Sequence, residues 1–191
     1  MNADPSIMAA EALAAEERAY ERAFAGSRAI IRKTKQAIHG IHSGRRDAEL
    51  IDSISSDLAG LIDALSGFPR VIYGTHMEDA MAEFAETVVY DRSLRGEDIP
   101  SFLDLDITPS AWVMGLADAV GELRRDMLDR LMADDLEGAS SVFSSMEALS
   151  DTLMGFDVKD SVAPVRRKQD ICRSIMEKSR GELATAKVMR R

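Results

Sequence analysis

The chain has 191 residues, 46% of them hydrophobic, a formal net charge of −9 and one cysteine. That length closes one apolar core, and the single Cys172 excludes an internal disulfide or a cysteine-built zinc site, as expected in a reducing, cytoplasmic setting. No run reaches the roughly 18 uncharged apolar residues of a membrane span, and the acidic opening "MNADPSIMAAEALAAEERAYER" lacks the basic start of a secretory signal.

In chain order, the first predicted element is a long helix from Pro5 to His42. It carries Arg28, Arg32, Lys35 and His39 at three- and four-residue spacing, one basic stripe suited to a phosphate backbone, with Lys33 off that stripe. "HSGRRD" breaks it. Leu50, Ile54, Leu58, Leu61, Ile62 and Leu65 then mark a second helix, ended by "SGFPR". The next helix contains "MAEFAETVVYD", where Glu83 and Glu86 share one face and Asp79 lies a further turn back. "LRGEDIP" closes it. "LDLDI" alternates like a strand but has no partner, so it reads as an extended linker. Thr108 and Pro109 form a start signal, N-cap then proline at the first helical position. The helix that follows places Asp118 and Glu122 at i and i+4 among Leu116, Ala117, Val120 and Leu123. Breaks at "LEG", "MGFD" and "VAP" delimit the rest. The whole is an all-α bundle of six or seven helices forming one domain over residues 1–191.

The distribution of charge says more than its sum. Residues 25–46 hold six basic side chains and no acid, residues 164–191 hold nine basic against three acidic, and residues 47–163 hold seven basic against 25 acidic. A polyanion held by the basic segments while metal ions gather on the acidic middle is one reading. An acidic surface that serves solubility is the other.

Several chemistries drop out. A carboxylate-bridged di-iron bundle needs Glu-x-x-His, whereas Gln36, His39 and Tyr73 stand three residues before His39, His42 and His76. No glycine-rich phosphate loop or Gly-x-Ser-x-Gly elbow occurs. His39 and His42 beside Lys35 and Arg45 read as phosphate-facing or plain surface groups, Trp112 and the eleven methionines as core filling, and Tyr73 and Tyr90 as buried aromatics that could otherwise stack on a base.

"VVYDRSLRGEDIP", "DITPSAWVMGLADAVGELRRDML" and "DDLEGA" resemble stretches of translin-associated factor X, in which a Thr-Pro start leads into Gly-x-Ala-Asp-x-x-Gly-Glu-Leu. "AEFAET" is similar to that family's Glu-x-x-Glu helix, and "YERAFAGSRAIIRKTKQAIHGIHSG" to its first helix. The resemblance runs along nearly the whole chain. It implies an all-helical, translin-like subunit that assembles into a hollow homo-oligomer, usually an octamer, and binds single-stranded RNA or DNA. It further implies metal-dependent endoribonuclease activity from Glu83, Glu86, Asp118 and Glu122. Mg2+ or Mn2+ suits such oxygen donors, with Glu83, Glu86 and Asp118 as ligands and Glu122 as a ligand or as a base acting through water. Arg28, Arg32, Lys35 and His39 are the expected RNA contacts. The alternatives are a non-catalytic translin-like binder and a helical adaptor, in which the acids are surface charges paired with Arg92, Arg124 or Arg125.

Overall fold

The computed structural model describes residues 4–189, so Arg190 and Arg191 of the basic C-terminal segment lie outside the described residues. Among the described residues there are seven helices and no strand. These are α1 (Pro5–His42), α2 (Ala48–Ala64), α3 (Pro69–Ile72), α4 (Thr75–Arg95), α5 (Pro109–Met132), α6 (Leu136–Met154) and α7 (Val165–Met189). None is long and apolar enough to cross a membrane.

The helix starts follow local chemistry. Asp4 accepts a hydrogen bond from the Ser6 backbone N–H with Pro5 at the first position, Asp47 accepts from Leu50 N–H, and Asp135 from Gly138 N–H. Thr108 accepts from Ala111 N–H at 3.1 Å, as its pairing with Pro109 predicts. The "LEG" break falls slightly earlier than expected, because Asp135 caps α6 and Leu136 already lies inside it. The "LDLDI" segment is not extended. Ser101 donates to the Asp104 carboxylate from its N–H at 2.8 Å and its hydroxyl at 2.7 Å, Asp104 N–H returns to the Ser101 hydroxyl at 3.3 Å, Ile107 N–H reaches Phe102 O at 3.1 Å, and Asp106 turns the chain at φ 53°. The short polar side chains at 101 and 104 offer the backbone local partners that a lone strand lacks.

The helix α4 lies at the centre. It buries side chains nearly all round, including Met77, Met81, Phe84, Val89 and Tyr90, as an interior helix must. Each such burial contributes roughly 1.5–3 kcal/mol. α1 crosses it with a stripe of small residues, Ala19, Ala23, Ser27, Thr34 and Ala37, around Ile30 and Ile38. α5 packs along its other side and in turn carries α6 and α7. The apolar interior forms two clusters, one built mainly from α1, α2 and α4 with Ala111 of α5, the other from α5, α6 and α7 with Ile38 of α1 and Val89 and Tyr90 of α4, with Trp112 packed against both. Trp112 donates to Pro100 O at 2.8 Å, and Cys172 is buried.

One buried charge closes the end of α4. The Asp91 carboxylate is gripped by Arg46 Nε at 2.5 Å and by a second Arg46 nitrogen at 2.9 Å, with Arg95 at 3.2 Å. Paired this way a carboxylate can be taken out of water. Lys33 likewise pairs with Asp57 at 2.6 Å. Two of the six basic side chains in residues 25–46 therefore serve the fold.

Candidate functional site

The four acids flank the contact between α4 and α5, Glu83 and Glu86 lining two neighbouring cavities there, Asp118 one of them and Glu122 the other. Gly115 makes that approach possible: a Cβ there would stand 2.5 Å from Ala82 O, 2.6 Å from Ala85 Cβ and 2.6 Å from Glu86 N. Only a residue without a side chain fits. Asp118 and Glu122 follow three and seven residues later, on the face that Gly115 presents to α4. Opposite them stand Glu83 and Glu86, half-buried. A groove of about 730 Å³ is lined by Glu83, Glu86 and Asp118 together with Lys35 from α1 and Lys168 from α7. A smaller cavity of about 220 Å³ shares Glu83, Glu86 and Lys35 and adds Glu122, His39, His42 and Arg125.

Each acid has its own surroundings. Thr34 donates to Glu83 at 3.3 Å. Asp118 pairs with Lys168. Glu122 lies 2.5 Å from His42 Nε2, and the Tyr90 hydroxyl lies 3.0 Å from His42 Nδ1. The tautomer with its proton on Nε2 satisfies both contacts, the tyrosine donating to Nδ1 and the imidazole to Glu122. Glu86 has no hydrogen-bond or ion-pair partner among the described residues. Burial, reinforced by Asp118, Glu83 and Glu122, pushes its carboxyl up to about 8. Glu83 is also raised, by burial first, with Lys35 and the Thr34 hydrogen bond opposing.

These shifts carry a stability consequence. Between its ordinary value of 4.5 and about 8, Glu86 is protonated in the folded chain and ionised in the unfolded one. The folded state then binds more protons, so stability falls as pH rises through that window. With chelator present, the thermal midpoint is expected to drop by on the order of 5 °C between about pH 5 and 8. Glu86→Gln should flatten that slope in a thermal melt series, and an unchanged slope would show that another group sets it.

Two of the three arginines expected to pair with these acids are engaged elsewhere. Arg92 binds Glu97 at 2.6 Å and Arg124 binds Glu182 at 2.8 Å, so neither neutralises the four acids. Arg125 lines the smaller cavity beside Glu122. Asp126 pairs with Arg130 at 2.8 Å, while Asp79 lines the groove. Of the basic stripe, Lys35 lines both cavities and His39 the smaller one, whereas Arg28 lies over the Phe24 ring at 5.5 Å and Arg32 is exposed farther along α1. His42 is not a surface group, since its side chain is 4% exposed. Tyr90 is fully buried as expected, but Tyr73 is 69% exposed and lines the groove.

No spacing in the sequence marks Lys168, Thr34 or the Tyr90–His42 contact as part of this site. His42 was at least visible as the histidine ending α1, while Lys168 had no pattern to separate it from the other C-terminal bases.

Oxygen-only donors from two helices suit a hard divalent cation. Glu86, half-buried and unpartnered, is the strongest sign that a positive charge belongs among them. The donors match in kind but are not gathered: among the described residues no three acids, histidines or cysteines already stand as a metal-holding group. Lys168 and His42 hold Asp118 and Glu122 in the present arrangement.

Among the described residues, seven helices around a central α4, with a carboxylate groove at the α4–α5 contact, form an all-helical chain whose fold matches the translin type through the solved structures it resembles. AfC3PO superposes with a TM-score of 0.90 at 29% identity, over 98% of this chain and 99% of that one. A structure of AfC3PO with duplex RNA matches at a TM-score of 0.82 and 27% identity, covering 98% of each chain. Apo-NeC3PO shares the fold at 0.82 and 17% identity, over 97% and 98%. No protein-family model matches. The uncharacterized protein MJ0175 of Methanocaldococcus jannaschii is 35% identical over 162 residues, 83% of this chain and 72% of that protein. The chain belongs to one family with MJ0175, and its fold is that of the C3PO/translin proteins.

Proposed function

We propose that this chain is a cytoplasmic, metal-dependent endoribonuclease of the translin-associated factor X branch, acting on single-stranded RNA inside a hollow homo-oligomer, an octamer by family resemblance. The observation that carries the reading is that Glu83 and Glu86 line both cavities, with Asp118 in one and Glu122 in the other. The AfC3PO complex with duplex RNA supports RNA as the ligand class. That ligand is a duplex, whereas an enclosed chamber argues for single strands, so both forms belong in the assay.

Glu83, Glu86 and Asp118 would hold Mg2+ or Mn2+, which supplies an activated water and neutralises charge developing on the phosphate. The chain's own residues do the rest. Lys35 and Lys168 flank the groove and offer cationic contacts to a phosphate backbone. Arg28, Arg32 and His39 extend those contacts along α1, holding the strand without reading its sequence. Glu122 accepts a proton through water, its carboxylate oriented by His42, which Tyr90 fixes in turn.

The deciding experiment incubates end-labelled RNA, single-stranded and duplex, with the protein in Mg2+, Mn2+ or chelator. Internal cuts with metal and none with chelator are expected. The second reading, a non-catalytic RNA holder, draws on the ion pairs that occupy Asp118 and Glu122. It would be chosen if RNA is retained uncut under every metal condition.

A further inference from the structure

Most of the groove lining is polar or small, but two of its residues are large apolar side chains left open to solvent. Tyr73, at the corner between α3 and α4, and Val162, in the loop before α7, are each 69% exposed. Scattered exposed apolar side chains need no explanation; two on the wall of one charged groove do. Tyr73 is also free. Its side chain makes no hydrogen bond and no ring contact among the described residues, whereas the exposed Tyr20 is tied to His76, hydroxyl to Nε2 at 3.0 Å.

The backbone beneath Tyr73 is fixed. Its N–H donates to Pro69 O at 3.0 Å, the next N–H donates to Val71 O at 3.0 Å, and Val71 is buried. A held backbone presenting an unpartnered ring suits stacking, because little backbone order is lost on binding. Lys35 and Lys168 line the same groove and would carry the adjoining phosphates.

We propose that Tyr73 and Val162 form a nucleobase subsite of the acidic groove, which receives one unpaired base of the strand whose phosphates lie on Lys35 and Lys168. This rests on the RNA reading above and deepens it. Every base has a stacking face, so the subsite selects for an unpaired base and not for its identity. A base inside a duplex keeps its own stacking partners and gains nothing there.

The test uses RNA carrying 2-aminopurine, bound in chelator so that no turnover is needed, as a single strand, as a duplex and as a strand with abasic positions. Wild-type protein should quench the single-strand fluorescence. Tyr73→Ala should weaken single-strand binding about tenfold, remove the quench and leave duplex and abasic binding unchanged, while Tyr73→Phe should behave as wild type. Val162→Ser should give a smaller loss in the same direction. Equal weakening of all three RNAs by Tyr73→Ala, an unaltered quench, or a change in solution mass showing that another copy covers the corner would overturn the subsite alone. Failure of the wild-type protein to retain any RNA would overturn the RNA reading itself.

Discussion

Replacing Glu83 and Glu86 together by alanine is expected to abolish metal-dependent cleavage while RNA retention persists. Both side chains line both cavities, so the double substitution takes away the α4 half of the donor set at once. Losing several kcal/mol of charge stabilisation at the phosphate corresponds to a rate loss on the order of a thousandfold. Retention should hold, because Arg28, Arg32 and Lys35 are untouched and two negative charges facing a polyanion have been removed. Filter retention and gel cleavage on the same preparation separate the two effects. The variant should also melt no lower than wild type above about pH 8, where the parent carries mutually repelling carboxylates. Full cleavage by this variant would sink the nuclease proposal.

Gly115→Ala should cost stability and activity together. The added methyl meets a carbonyl oxygen, a Cβ and a backbone nitrogen, none of which can swing aside. Helices α4 and α5 must move apart, at about 1–3 kcal/mol or more, which lowers the thermal midpoint by roughly 2–4 °C per kcal/mol. Separation also carries Asp118 and Glu122 away from Glu83 and Glu86, so cleavage should fall further than the folded fraction does. Gly121 in the same helix is the control. Nothing lies within 4 Å of a Cβ placed there, and Gly121→Ala should stabilise by up to about 1 kcal/mol through helix propensity. Similar behaviour of the two variants would mean that the helix contact does not set the groove.

Much of this architecture was legible because its causes are local. A proline or a capping oxygen beside an apolar stripe announces α1, α2 and α5 without reference to anything distant. The acids on α4 and α5 were legible as stripes, and the resemblance joined them, but no periodicity shows that Gly115 is the contact point. What escaped is long-range. Lys168 meets Asp118 across 50 residues and His42 meets Glu122 across 80. The "LDLDI" segment forms no strand, as its lack of a partner implies, but it winds into turns where an extended linker is expected, because Ser101 and Asp104 give the backbone local hydrogen bonds. Tyr73 misled because its corner is anchored by the buried Val71 beside it, which leaves the larger aromatic ring outside.

The apolar interior is split, and the split has a mechanical meaning. Lys35 rides on α1, packed with the first cluster, and Lys168 on α7, packed with the second, yet both border one groove. A ligand spanning the two lysines would tie α1 to α7 across the groove. Its binding free energy adds to the cohesion of the subunit, so amide exchange at the α4–α5 contact should slow when the groove is filled.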